Sequence, residues 1–428
     1  MISYLLRKLF SGILVLLGVV TFVFILFSLA PGDPARDIAG ENATEEVVAN
    51  IRRRLDLDIS PVHRYFLFLN DVSPLSIHHQ SDQDARNYFD DKIYSGVRCL
   101  PIGGDNALYI KWPYFGRSYF TDKGVGDILG EAIPGTLILA VMSIALALIF
   151  GVFLGTLAAL RRDSFYDRLI LVTSALGMSG PSFFMAILVG WIAAVLWHDE
   201  INVPFMLILA AVAVTAMFLF SRGRRASSSA AIAFSIVMLA WIGGLITESL
   251  LSINLPLLHL SFQLPGTGLN LTGSLYAFDP WKGRQLEMSN MILPIITLTI
   301  RPLAVIVQLT RSSMLDVLAQ DYIRTAKAKG LTPFRIIWKH ALRNALNPVI
   351  TAVSGWFASL LAGAVFVEFV FGWKGLGQEM YNAIERQDLP VVMGGVMFTA
   401  FAFVLINVLV DVLYGVIDPR IRSANQPL

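Results

Sequence analysis

The chain has 428 residues, of which 55% are hydrophobic and only 15% charged, and its mean hydropathy is +0.65. That is more apolar surface than a soluble core of this size can bury, so the bilayer is its natural solvent. Thirty-three Lys+Arg against thirty-one Asp+Glu leave a formal charge of +2, which excludes the global field that draws nucleic acid; the single cysteine, Cys99, excludes an internal disulfide, and no Cys/His cluster has the spacing of a structural zinc site.

At the N-terminus Arg7 and Lys8 precede the apolar run Ser11–Ala30. The run is longer than the roughly 7–15 residues of a signal-peptide core, and Pro31 follows at once, so it reads as an uncleaved first span. Further runs of spanning length lie at Thr136–Leu160, Leu169–Trp197, Val203–Phe220, Ser229–Leu251, Met291–Leu309, Pro348–Phe371 and Val391–Leu413. They are continuous and lack the period-2 alternation of barrel strands, which predicts an all-α polytopic membrane protein of about eight transmembrane helices. The organisation expected is a first helix at 1–30, an extracytoplasmic region at 31–131, helices 2 and 3 at 132–197 and a hairpin at 198–251. An extracytoplasmic loop at 252–290 and a membrane core at 291–428, with a cytoplasmic loop at 311–347, complete it.

Orientation follows from Lys and Arg in the short loops. Arg161–Arg168, the Arg222–Arg225 turn and the Arg311–Arg343 segment are all rich in them and fall on the side of Arg7, Lys8, Arg420 and Arg422. Both termini are therefore expected in the cytoplasm. Residues 31–131 would form a small extracytoplasmic cap, within which the polar stretch Ser76–Lys92 is expected to be a mobile insert and His78 and His79 to be merely solvated. Gly151 and Gly155 form a G-x-x-x-G that permits close helix contact. No phosphate-binding loop of the G-x-x-x-x-G-K-[ST] type is present, so nucleotide hydrolysis belongs elsewhere; no catalytic residue, metal ligand or cofactor is assigned.

The most informative segment is Asp321–Pro348, DYIRTAKAKGLTPFRIIWKHALRNALNP, which has the grammar of two helices. Gly330 suits a left-handed helix end, Thr332 an N-cap, and Pro333 the first helical position. Phe334, Ile337, Trp338, Ala341, Leu342 and Ala345 follow one apolar face, Arg335, Lys339 and Arg343 another, and Asn347-Pro348 is expected to end the helix. Such a unit serves either to lie on lipid headgroups or to dock in a partner's groove, and the pattern alone divides these evenly.

Thr325-Ala326-Lys327-Ala328-Lys329-Gly330, followed by Leu331 and Pro333, resembles the EAA loop of ABC importer permeases, and YIRTAKAKGL is similar to its form in the dipeptide/oligopeptide/nickel permease family. Arg324 and Thr325 stand where the general motif has Glu and Ala, as is common in the peptide branch. IPGTLILA (Ile133–Ala140), RRDSFYDR, SGPSFF (Ser179–Phe184), Glu368 with FVFGWKGLG, and VDVLYGVIDPRIR (Val410–Arg422) resemble further family elements in the same order. The resemblance implies a six-helix permease core with an inserted hairpin at 198–251, forming half of a translocation pore for peptides or nickel complexes in a bacterial inner membrane. It further implies a second homologous permease, two cytoplasmic ATPases that the loop couples to, and an extracytoplasmic solute-binding protein. A secondary transporter or channel is the rival reading, and it would call for charged pairs in several spans. Arg301 is the deeply placed charge; at a cost on the order of 3 kcal/mol in lipid it is expected to face the pore, a subunit interface or a packing partner. Glu368 is the second pore or interface candidate, with a helix-end anchoring role as the plainer reading.

Overall fold

The computed structural model describes residues 2–29, 33–40, 42–82, 85–91, 93–103, 105–205, 207–210, 212, 225–251, 261–279, 281 and 283–417. Most of the expected arm Val203–Phe220, Arg222 and Arg224 of its turn, and Arg420 and Arg422 lie outside these residues.

Apolar sequence of bilayer length folds as helix because only a helix satisfies its own backbone in hydrocarbon. The first helix, α1 (Ile2–Leu29), is followed by three short helices, α2 (Pro34–Ala39), α3 (Glu45–Arg54) and α4 (Pro61–Val72), and by strands β1 (Leu75–His79), β2 (Gly96–Pro101) and β3 (Asn106–Lys111). Next come α5 (Val125–Leu160), α6 (Phe165–Ser179) and α7 (Ser182–Gly190), the last running on as a π-helical turn, Trp191–Leu196. Helix α8 (Arg225–Leu251) lies between β4 (Ile201–Pro204) and β5 (Ser261–Leu264), which pair antiparallel, and β6 (Tyr276–Asp279) pairs with β7 (Gly283–Leu286). The long α9 (Ile292–Leu318) leads into α10 (Asp321–Ala328). Then come α11 (Pro333–Arg335), a π turn at Ile336–Ala341 and α12 (Leu342–Ala345). Helices α13 (Asn347–Gly363), α14 (Val365–Val370), α15 (Leu376–Glu385) and α16 (Leu389–Ile417) complete the chain.

Among the described residues four helical stretches are long and apolar enough to cross a membrane: Phe10–Leu29, Val125–Leu160, Met288–Leu318 and Leu389–Leu409. A fifth crossing arises if the α6–α7 pair counts as one, although the two are bent by 109° and are not the single run Leu169–Trp197 that the sequence suggested. The bend falls at Gly180-Pro181, where the proline disfavours helix in the preceding residue and offers no N–H of its own. Helix α5 starts well before Thr136 because Pro134 is accommodated inside it.

The core forms where α5, α9 and α14 meet, around Leu139, Leu293, Leu298, Phe371 and Trp373. The G-x-x-x-G pair brings α5 against α9: a Cβ added at Gly155 would lie 2.6 Å from the Val307 carbonyl oxygen, and one at Gly151 2.6 Å from Ile306 Cγ2. Glycine is required at both positions for this approach.

The cap differs most from expectation. Instead of a mobile insert, Ser76–His79 belongs to β1 of an antiparallel sheet ordered β1-β3-β2. His78 is fully buried, not solvated; its Nε2 pairs with Ser76 Oγ at 3.0 Å and its Nδ1 with the Asn87 carbonyl at 3.1 Å. Phe89 stacks on Tyr109 at 3.9 Å, and Tyr94 packs against the imidazole. Alternating burial along β3 supplies the apolar face that the polar composition of the stretch conceals. The cap joins the membrane helices through Asp388, whose carboxylate accepts from Ser118 Oγ at 2.5 Å and from the Tyr119 amide at 3.1 Å.

Candidate functional site

The hairpin of α10 and α11–α12 projects between the ends of α9 and α13. Its turn is a full helix-ending motif: the Gly330 amide donates to Lys327 O at 3.0 Å and the Leu331 amide to Ala326 O at 3.3 Å, with Gly330 at φ +73°. Leu331 and Ala326 share one apolar cluster, the hydrophobic contact that accompanies this motif. Thr332 has the extended backbone of an N-cap but its hydroxyl makes no capping bond, so Pro333 carries the helix start.

The inner face of the hairpin is anchored. Ile323, Ala326, Ile336, Ala341, Leu342 and Ala345 are buried against Ala159 of α5 and Met314 of α9. The outer face is not: Thr325, Lys327, Ala328, Lys329, Gly330 and Pro333 are exposed, as are Arg335, Lys339 and Arg343. Phe334 and Trp338 are 71% and 57% exposed and pack on each other at 5.9 Å.

The single apolar face read from the sequence is therefore split. The π turn at Ile336–Ala341 places an extra residue in the helix, which rotates everything before it relative to everything after. Ile336, outside the expected face, is buried, and Phe334 and Trp338, inside it, are left outside. The helix ends at Ala345, just ahead of Asn347-Pro348, and α13 begins at once: Pro348 occupies its first turn, where the missing N–H costs nothing, and the Ile350 amide reaches Leu346 O at 3.0 Å.

Arg301 lies exposed on the α9 surface, with its guanidinium 5.8 Å from the centre of the Trp356 ring. Glu368, the second pore or interface candidate, packs where α14 meets α5 and α15. It is fully buried within the chain and accepts from Thr136 Oγ1 at 2.6 Å and from the Gln378 amide at 3.1 Å. Thr136 Oγ1 in turn accepts from the Leu376 amide at 2.8 Å. A Cβ at Gly377 would meet the Glu368 carboxylate at 2.9 Å, so the Gly-rich turn exists to close over this acid. The reach of Glu368 to the first turn of α15 ties that helix to α5.

Sequence reasoning missed one ion pair. Asp167, 2% exposed at the start of α6, takes the Arg311 guanidinium on α9 in two bonds of 2.6 and 2.7 Å. Its carboxylate also accepts the Asp163 amide at 2.9 Å. The only hint was that Asp167 lies in a turn otherwise rich in arginine.

A helical membrane core carrying this anchored, basic hairpin defines a transport component. The chain belongs to the family of binding-protein-dependent transport system inner membrane components, which it matches over residues 151–423; residues 1–84 match the N-terminal region of membrane components of such systems. Among its relatives, the dipeptide transport system permease protein DppB of Alkalihalophilus pseudofirmus is 30% identical over 427 residues, 99% of this chain and 100% of the relative. The di/tripeptide transport system permease protein DppB of Pseudomonas aeruginosa is 31% identical over 424 residues, and the dipeptide transport system permease protein DppB of Escherichia coli K12 is 31% identical over 425. In both cases 99% of each chain is covered.

Proposed function

We propose that this chain is the permease of an ATP-driven ABC importer for short peptides, and that the Asp321–Ala345 hairpin is the surface on which a cytoplasmic ATPase docks. The observation that carries the reading is the division of the hairpin into an inner face locked to α5 and α9 and an outer face bearing Phe334, Trp338 and the cations Lys327, Lys329, Arg335, Lys339 and Arg343. An apolar pair rimmed by charge suits a partner's groove, and its rigid anchorage lets a push on the hairpin reach the membrane helices. The names of the relatives favour peptides over chelated nickel as cargo. In this reading a second homologous permease completes the pore, a solute-binding protein delivers cargo on the cap side, and both termini face the cytoplasm. The 198–251 segment is an inserted hairpin. Arg301, exposed beside Trp356, faces the pore or the partner permease.

The test is Trp338→Asp, which places a charge in the docking surface while leaving the buried face intact. The variant is expected to remain in the membrane, to lose co-purification of the ATPase subunits and to lose ATP-driven peptide uptake. Wild-type recovery of both would remove the hairpin from this role.

A further inference from the structure

On α9 the residues Arg301, Val305, Gln308 and Ser312 recur at helical spacing and so share one face. The rest of the helix is covered: α9 packs against α5, α6, α7 and α13, and Ile306, Val307, Thr310 and Met314 are buried. The shared face is the open one, with Arg301 and Ser312 exposed and Val305 and Gln308 half-buried. Three of its four residues are polar, although they belong to a stretch, Met288–Leu318, that is long and apolar enough to cross a membrane. Lipid favours an apolar face, so this one adjoins water or protein.

Arg301 stands near the middle of that stretch and makes no hydrogen bond or ion pair among the described residues. Its guanidinium is held over the Trp356 ring at 5.8 Å, and Trp356 is itself half-buried against the core where α5, α9 and α14 meet. The cation is thus positioned while its fork of N–H donors is left without an acceptor, and the group that matches such a fork is a carboxylate.

We infer that Arg301 binds the C-terminal carboxylate of a short peptide on its way through the pore, and that Gln308 and Ser312 carry the path on toward the Asp321–Ala345 hairpin. The inference rests on the peptide-importer reading above. Every peptide with a free C-terminus carries that carboxylate, so one arginine at this depth recognises the end of the chain and leaves its side chains unread. The length of the polar face favours cargo over an acid of the partner permease: a lone ion pair between subunits calls for one polar position on α9, not three.

The test uses the assembled importer in phosphatidylethanolamine–phosphatidylglycerol vesicles, with dialanine as cargo. Arg301→Gln is expected to lower binding-protein-dependent uptake by about tenfold or more while the ATPase subunits still co-purify, and Arg301→Lys to recover part of the loss. In solid-state NMR without the binding protein, dialanine labelled with 13C at the carboxyl should be dephased by 15N-labelled arginine side chains in the wild type and not in Arg301→Lys. Wild-type uptake by Arg301→Gln, no dephasing in the wild type, or equal dephasing in Arg301→Lys would each overturn the inference. Should Arg301→Gln fail to assemble, Arg301→Lys carries both measurements; failure of both variants to assemble would assign the arginine to the subunit interface and overturn it as well. A wild-type importer that takes up no dialanine would instead remove the peptide reading itself.

Discussion

Asp167 and Arg311 are 144 positions apart in sequence and meet in a two-bonded ion pair that fastens the first turn of α6 to α9, the helix that leads into the Asp321–Ala345 hairpin. With Asp167 only 2% exposed, removing one partner leaves an unanswered charge. Arg311→Leu is expected to destabilise the protein by about 3–5 kcal/mol, read by thermal unfolding in detergent. The double variant Asp167→Leu with Arg311→Leu should recover much of that. Equal losses in the single and the double variant would mean that the pair is dispensable and the arginine acts through packing alone.

Gly330 offers a cleaner perturbation, because a Cβ there would meet nothing within 4 Å and the only objection to a side chain is φ +73°. A β-branched residue at that angle costs about 1–2 kcal/mol and re-aims the helix that follows. Gly330→Val should leave the chain abundant in the membrane while ATPase subunits dissociate or hydrolyse without driving uptake. Co-purification together with transport in reconstituted vesicles reads this, and unaltered coupling would contradict it.

Arg301 is an exposed cation on a membrane helix, resting on an indole face. Arg301→Leu should impair uptake or the yield of the assembled complex, and Arg301→Lys, which keeps the charge but not the planar stacking, should fall between. Wild-type uptake and yield for Arg301→Leu would assign the residue to the lipid boundary.

The cap contains two opposed titrations. Burial, against the hydrogen bond from Tyr94 and the Lys111 cation, raises the Asp71 carboxyl from 3.8 to about 6. Its contribution to stability is present below 3.8 and lost as pH rises through 6. Burial, with the Lys111 cation adding to it, lowers the His78 imidazole from 6.5 to about 4, so its contribution is present above 6.5 and lost as pH falls through 4. The two offset each other across the same window. Hydrogen-exchange protection of β1 and β3 should therefore vary little between pH 4 and 6.5. It should fall with rising pH in His78→Asn and rise with pH in Asp71→Asn, each by roughly 2 kcal/mol. Parallel trends in the two variants would refute the assignment.

Continuous apolar length made the long helices legible, and Gly330, Pro333 and the spacing of Gly151 and Gly155 marked a turn, a start and a contact that the fold contains. Periodicity failed at Ile336 because a π turn changes the phase of a helix without any signature in residue type. It failed at His78 because the strand is short and its partner, β3, lies further along the chain, so which side chains of Leu75–His79 are buried is decided by tertiary pairing. Glu368 and Asp167 could be noticed as charges, but which atoms answer them depends on Thr136 and Arg311, and distance in the chain carries no trace of that choice.

The hydrogen bond from Ser118 to Asp388 closes a separation of 270 residues, and this sets an order of assembly during synthesis. At ribosomal speeds of about 5–20 residues per second, the cap waits roughly 15 to 50 s after its own residues emerge before the carboxylate that receives it has been made. Until then the Ser118 hydroxyl hydrogen and the Tyr119 amide have no carboxylate to donate to, and the cap's underside has no α16 to rest on. A newborn chain thus passes through a stage in which its first folded piece is loose, and that stage is where quality-control proteases would find it.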